Sequence, residues 1–214
     1  MIRAAASCFL CIIILTILFF EGCCAFASVK GNESREPYKI LAVCTGNTCR
    51  SPMMMVLLRR EIKKMNLSSV HVESAGIGEK AGWKRHASPN ALALFPSELS
   101  EHRSAHVSSK LVTSFQRVLC MENKHASYVR EQCLRETNNG TRDDIQHLSL
   151  DSQGKQDVKS DPCMRRVRVF PGELEDPFGK SLEEYQNCSH KLQQWAREIM
   201  REVSQEMEVE QNTG

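Results

Sequence analysis

The sequence predicts an α/β fold: a four-stranded parallel sheet with helices on both faces and a phosphate-binding loop after the first strand. Three observations point there. Short apolar runs alternate with helix-like stretches, the pattern of a parallel sheet whose crossovers cover it. The first run, Lys39–Val43, enters a turn containing Gly46 and leaves it through Ser51-Pro52 into a helix-like stretch. That turn falls at the carboxyl end of a strand, where open α/β sheets place their ligands.

Each element has its own signal. Ser51 is expected to cap the first helix, with Pro52 at its first position, where a missing N–H does no harm. The helix runs to about Met65, with Val56, Leu57, Leu58, Ile62 and Met65 on its apolar face. Val70–Ser74 reads as the second strand. Ser88-Pro89 repeats the cap-plus-proline start ahead of Ala91, Leu92, Leu94 and Phe95. Arg117–Met121 reads as the third strand and Glu122–Cys133 as a helix. Two segments compete for strand four, Ile145–Leu150 and Arg166–Phe170. Ser181-Leu182-Glu183-Glu184 is a capping box. It opens a last helix whose Leu182, Tyr185, Leu192, Trp195, Ile199 and Val203 form one apolar stripe, read as core.

Composition bounds the rest. The 214 residues suit one folded domain, placed at residues 38–208 with a tail at 209–214. A net charge of +2 is too small to call for nucleic acid, and no internal repeat is present. The N-terminus is separate. Arg3, an apolar run from Cys8 to Phe20 and an Ala25-x-Ala27 site have the layout of a secretory signal peptide over residues 1–27. The run is short for a membrane span, so a membrane association is expected only if this segment stays attached. Residues 28–37 read as a polar linker. The sequons at Asn32, Asn66, Asn139 and Asn187 are compatible with secretion. Ala25-Phe26-Ala27 also resembles the alanine-phenylalanine junction of bipartite plastid leaders of some algae, which leaves a complex plastid as an alternative destination.

The chemistry concentrates in Val43–Pro52. Cys44 and Arg50 stand six positions apart, with Thr45, Gly46, Asn47, Thr48 and Cys49 between them. A strand-loop-helix of this kind turns backbone N–H groups inward and adds the positive end of a helix dipole, making an anion cradle. A thiol of reference pKa about 8.5 is lowered by such surroundings, so Cys44 is expected to be a thiolate. Arg50 can grip the oxygens of a tetrahedral oxyanion bidentately. Attack by sulfur on phosphorus is the natural reaction. Asn47 tolerates left-handed backbone and can tie the loop through its amide. Ser51 can donate a hydrogen bond to the Cys44 sulfur.

Cys44-x5-Arg50-Ser51-Pro52 resembles the signature of the low-molecular-weight protein tyrosine phosphatase family. Glu175-Asp176-Pro177-Phe178-Gly179 resembles that family's Asp-Pro loop, in which Asp176 would be the general acid and then the base. Alone, the segment is only a turn set by Pro177 and Gly179. Weaker matches lie between in the family's order: Val72–Gly76, Ala87–Ala91, His102–Ser104 and Val118–Met121. The resemblance spans roughly Tyr38 to Val203. It implies a phosphocysteine intermediate, no metal and no other cofactor, a phosphorylated protein or peptide as partner, and a monomer. It makes Cys49 a redox partner of Cys44, while Thr45 to Cys49, Ser51 and Phe178 bind substrate. Spacing from His125 within the family favours Ile145–Leu150 as strand four, with residues 151–168 as an insertion loop. Met54-Met55 departs from the Ala-Glu common in relatives, so a carboxylate on the first helix is absent.

Thr48, where tyrosine-specific relatives commonly carry isoleucine, resembles the bacterial protein arginine phosphatases, as does Phe178-Gly179. The reading leans to phosphoarginine, with phosphotyrosine as the family's default. His102 and His125 read as structural hydrogen bonders, and Ser74 as a support to the loop. The rival readings are a thiol-dependent arsenate reductase, a redox-sensing phosphate-binding protein and a metal-binding module. Arsenate reduction needs relay cysteines that Cys120 and Cys133 do not supply. A metal site needs a second close pair beside Cys44 and Cys49.

Overall fold

The computed structural model describes residues 36–137 and 165–212. The expected signal peptide, most of the linker and Ile145–Leu150 lie outside them.

Four parallel strands carry the fold: β1 Tyr38–Cys44, β2 Val70–Gly76, β3 Arg117–Cys120 and β4 Val167–Val169. They lie in the order β2-β1-β3-β4. The helices are α1 Arg50–Lys64, α2 Pro89–Leu94, α3 Pro96–Leu99, α4 Ser109–Thr113, α5 Asn123–Thr137 and α6 Leu182–Asn212. A 3-10 turn spans Glu79–Trp83. The chain leaves β1 for one neighbour and later returns to its other side, so the switch point lies at the end of β1.

Strand period two divides the core. Ile40 and Ala42 face α1 and α6 with Leu58, Leu192, Trp195, Ile199 and Val203. Leu41 and Val43 face the other side with Val112, Val118, Ala126 and Val129. Both faces of β1 are buried, which is why it reads as an unbroken apolar run. Met54 and Met55, the departure from the family pattern, pack in the first of these clusters.

Several expectations change. Strand four is Val167–Val169, pairing Val118 with Val167 and Cys120 with Val169. The preferred Ile145–Leu150 is thereby displaced by its competitor, and the insertion expected at 151–168 must end before β4. Val167 is buried against β3 and α5, and that tertiary contact outweighs the spacing argument. Ser51 is not the cap of α1: Cys49 holds that place and Arg50 is the first helical residue. Ser51 and Pro52 are therefore the second and third helical residues, still within the turn that lacks N–H partners. Leu182 and Met65, expected on apolar faces, are 41% and 37% exposed. The capping box at Ser181 forms as expected: Ser181 N donates to Glu184 Oε2 at 2.9 Å and Glu184 N to Ser181 Oγ at 3.3 Å. The last helix continues to Asn212, into the segment read as a tail.

Candidate active site

The Cys44–Ser51 loop joins β1 to α1 at the switch point. Its carbonyls are tied from outside. Ile77 N donates to Cys44 O at 3.0 Å, Gly78 N to Thr45 O at 2.9 Å and Ser88 N to Thr48 O at 2.8 Å. His102 Nε2 meets Asn47 O at 2.8 Å. By contrast, the N–H groups of Gly46 to Arg50 donate to no protein atom among the described residues. Buried N–H groups are rarely left without acceptors, so a row of them calls for an anion.

The backbone turns at Asn47, whose φ of 52° lies in the left-handed region. Its side chain fixes that turn. Nδ2 donates to Ser51 Oγ at 3.0 Å and to Ser74 Oγ at 2.9 Å, and Oδ1 accepts from Ala105 N at 2.8 Å. Ser51 Oγ in turn lies 3.0 Å from Cys44 Sγ. With its oxygen accepting from Asn47, the Ser51 hydroxyl has two acceptors within reach, Ala75 O at 3.3 Å and the closer Cys44 sulfur, and a sulfur anion is the stronger of the two. Thr45 Oγ1 sits 2.9 Å from His125 Nε2. Burial pushes the His125 pKa down to about 4, so at neutral pH it is an uncharged prop. His102 is likewise lowered by burial. Both histidines and Ser74 thus hold the loop, as the sequence suggested.

Gly76 lets β2 approach this loop. A Cβ there would lie 2.7 Å from Thr45 O and 2.9 Å from Asn47 N, closer than side chains tolerate.

Arg50 is 1% exposed. Its Nη2 donates to Asp176 Oδ2 at 2.5 Å and its Nη1 to Glu122 Oε1 at 2.6 Å. Burial works against its charge, but Asp176, Cys44 and Glu122 outweigh that and hold its pKa above the ordinary value. Asp176 stands on the turn closed by Lys180 N to Pro177 O at 3.0 Å, with Gly179 at φ 78°. This is the turn that Pro177 and Gly179 announced. Phe178 beside it is 58% exposed.

One cleft of about 380 Å³ brings these groups together. Cys44, Thr45, Gly46, Thr48, Cys49, Arg50, Asp176 and Phe178 line it, with Glu79, Lys80 and Arg85 on the opposite wall. Asn47 and Ser51 are buried behind the loop and support it rather than line the cleft. Cys49 is buried too, its Sγ 3.0 Å from Tyr185 Oη and 3.3 Å from Ser88 Oγ. Burial pushes its thiol pKa up. Cys44, Cys49, Cys120 and Cys188 are free, whereas Cys133 is disulfide-bonded. No group of three or more metal-ligating side chains occurs among the described residues. Sequence reasoning missed Glu122, Tyr185 and the Lys80/Arg85 wall. Glu122 stands two residues past the end of β3, where ligand-facing residues occur, and that was the one available signal.

An ordered sulfur, a buried guanidinium and a carboxylate around an anion cradle narrow the choice of relatives. Residues 39–209 match the family described as low molecular weight phosphotyrosine protein phosphatase. The chain belongs to that family. A protein-arginine-phosphatase of Bacillus subtilis (strain 168) is 29% identical over 169 residues, covering 78% of this chain and 97% of that protein. One from Geobacillus stearothermophilus is 30% identical over 159 residues, covering 73% and 90%. The crystal structure of a YwlE mutant from Bacillus subtilis superposes with a TM-score of 0.58 at 25% identity, covering 78% of this chain and 99% of that one. The resemblance read from Cys44–Pro52 and the parallel α/β fold are both borne out.

Proposed function

We propose that this protein is a metal-independent, cysteine-dependent protein phosphatase that favours phosphoarginine over phosphotyrosine. The observation that carries the reading is the single cleft in which Cys44 Sγ, Arg50 and Asp176 meet around unpartnered N–H groups. The phosphoryl group sits on the N–H groups of Gly46 to Arg50, with Arg50 on its oxygens. Cys44 sulfur attacks phosphorus and the P–N or P–O bond breaks. A protonated Asp176 gives its proton to the departing atom. The arriving phosphoryl oxygens compete with Asp176 for Arg50 Nη2, which frees the carboxyl for that task. Asp176 then takes a proton from water, water attacks phosphorus, the P–S bond breaks and inorganic phosphate leaves. The Ser51 hydroxyl holds the sulfur as it departs.

Support for phosphoarginine comes from Thr48, which lines the cleft with a hydroxyl where an isoleucine would offer only a wall. The similarity to two protein-arginine-phosphatases, over 97% and 90% of their lengths, points the same way. Cys49 serves as the resolving thiol: a Cys44 sulfenic acid made by peroxide condenses with it, forming a disulfide and releasing water. Its raised pKa keeps it a thiol until then. The leader-like residues 1–27 and the disulfide at Cys133 support passage into the secretory pathway.

Hydrolysis of a small aryl phosphate in chelator tests the class: wild type turns over and Cys44→Ser falls to background. Activity surviving that substitution rejects the mechanism. Rates on phosphoarginine and phosphotyrosine peptides test the preference. Thr48→Ile is expected to lower the phosphoarginine-to-phosphotyrosine ratio of kcat/KM by about tenfold, the loss of one good polar contact. An unchanged ratio removes the basis for the arginine assignment.

A further inference from the structure

The two walls of the cleft carry charge differently. On the Asp176 side the cations nearest the cleft have carboxylates among the described residues, while Lys191, farther out, donates to the Glu173 carbonyl. Arg50 pairs with Glu122 and Asp176, Lys124 with Glu122, and Lys180 with Glu175 and Glu184. On the other side lies the segment Glu79–His86, whose sequence Glu-Lys-Ala-Gly-Trp-Lys-Arg-His holds one acid against Lys80, Lys84 and Arg85. These three side chains are exposed, and none makes an ion pair among the described residues. Lys80 Nζ lies 5.8 Å from the centre of the Trp83 ring. Lys80 and Arg85 line the same cleft as Cys44.

The segment is nevertheless anchored. Ala81 is fully buried, and Ala81 N donates to Gly78 O at 2.8 Å. Arg85 N and Ser104 Oγ lie 2.8 Å apart, and Ser104 N donates to Arg85 O at 2.8 Å. An anchored backbone thus presents cations, unpaired among the described residues, in the same cleft as the Cys44 sulfur. Ordering a substrate on such a base loses less entropy than ordering it on a mobile loop.

We propose that Lys80 and Arg85 form a docking rim for carboxylate side chains next to the phosphorylated residue, so that the preferred substrates are acidic segments of phosphoproteins. The proposal rests on the phosphatase reading and narrows it. Glu79 is the one carboxylate of the segment that lines the cleft, and it tempers the field without cancelling two cations. An exposed ion pair is worth roughly a twofold to fivefold gain in binding, so two contacts give about tenfold at low salt. Screening shrinks that gain as ionic strength rises, because the Debye length falls to about 10 Å at 0.1 M.

The test uses two phosphopeptides that differ only in their flanking residues, Asp and Glu in one, Asn and Gln in the other. Their phosphorylated residue is whichever one the wild type cleaves. The readout is the ratio of kcat/KM for acidic over neutral peptide, at low and at high salt. Wild type is expected to give about ten at low salt and near two at high salt. Lys80→Ala with Arg85→Ala should bring the low-salt ratio to about one, and Arg85→Glu should carry it below one. Hydrolysis of a small aryl phosphate by wild type, measured alongside, reports the Cys44 loop alone; its absence overturns the phosphatase reading instead. With that activity present, a wild-type ratio near one, or a ratio that survives the double substitution, overturns the docking rim.

Discussion

The Cys44–Ser51 loop and the Glu175–Gly179 turn meet at Arg50, but they are held in opposite ways. The first is buried, with Cys44 at 2% exposure and Asn47 and Ser51 at zero, and is tied by β2, α1 and the segments around Ser88 and His102. The second is exposed at Glu175, Asp176 and Phe178, and Asp176 reaches the site through one ion pair to Arg50. On the proposed mechanism, the difference follows from what each must do. Groups that stabilise a charge developing on phosphorus gain by being fixed in advance. A group that shuttles a proton has to release Arg50 and meet a leaving atom, then a water, which a rigid wall would not allow.

That contrast can be broken by substitution. Asp176→Ala should lower kcat by about 10²- to 10⁴-fold, most on substrates with poor leaving groups. Because this carboxylate is 44% exposed, unfolding free energy should change by less than about 1 kcal/mol. A large loss of stability, seen by denaturant titration, would show that the turn is structural after all. Gly76→Ala should behave conversely. Its Cβ would press on Thr45 O and Asn47 N, so the unfolding free energy should fall by about 3 kcal/mol and phosphate affinity should weaken with it. Unchanged stability would mean that the loop yields easily.

Acid sharpens the same comparison. His125 props the buried loop at Thr45 and has no counterpart on the Asp176 turn. Unfolded, it takes a proton near 6.5; folded, not until about 4. The unfolded state therefore binds more protons across that window, and stability falls as pH falls through it. Between pH 7 and pH 5 the loss should be about 1 to 2 kcal/mol, and His125→Asn should flatten that slope in thermal melts at several pH values.

Much of this was legible in the chain. Cys44, Arg50 and Asp176, which the structure gathers in one cleft, could be picked out because the proposed nucleophile, anion-binding fork and acid leave short local patterns. The Pro177–Gly179 turn and the Ser181 capping box were legible for the same reason, since a fixed φ, a positive φ or a cap depends on neighbours in sequence. Glu122 and Tyr185 were not, because their meaning comes from contacts 72 and 136 residues away in the chain. For Ser51 only the capping expectation fails: serine before proline often caps a helix, but here the helix starts earlier, while the hydroxyl meets Cys44 as expected.

The chain's local patterns set the first three strands, the helices after Arg50, Pro89 and Asn123, the last helix and the place of the anion loop, because periodicity and turn residues act over a few positions. The fourth strand, Val167–Val169, came from packing in three dimensions. The tertiary structure alone set Arg50 between two carboxylates and gathered uncompensated positive charge on one wall of the cleft. Burial and Coulomb energy depend on distances through space, and a linear pattern does not contain them.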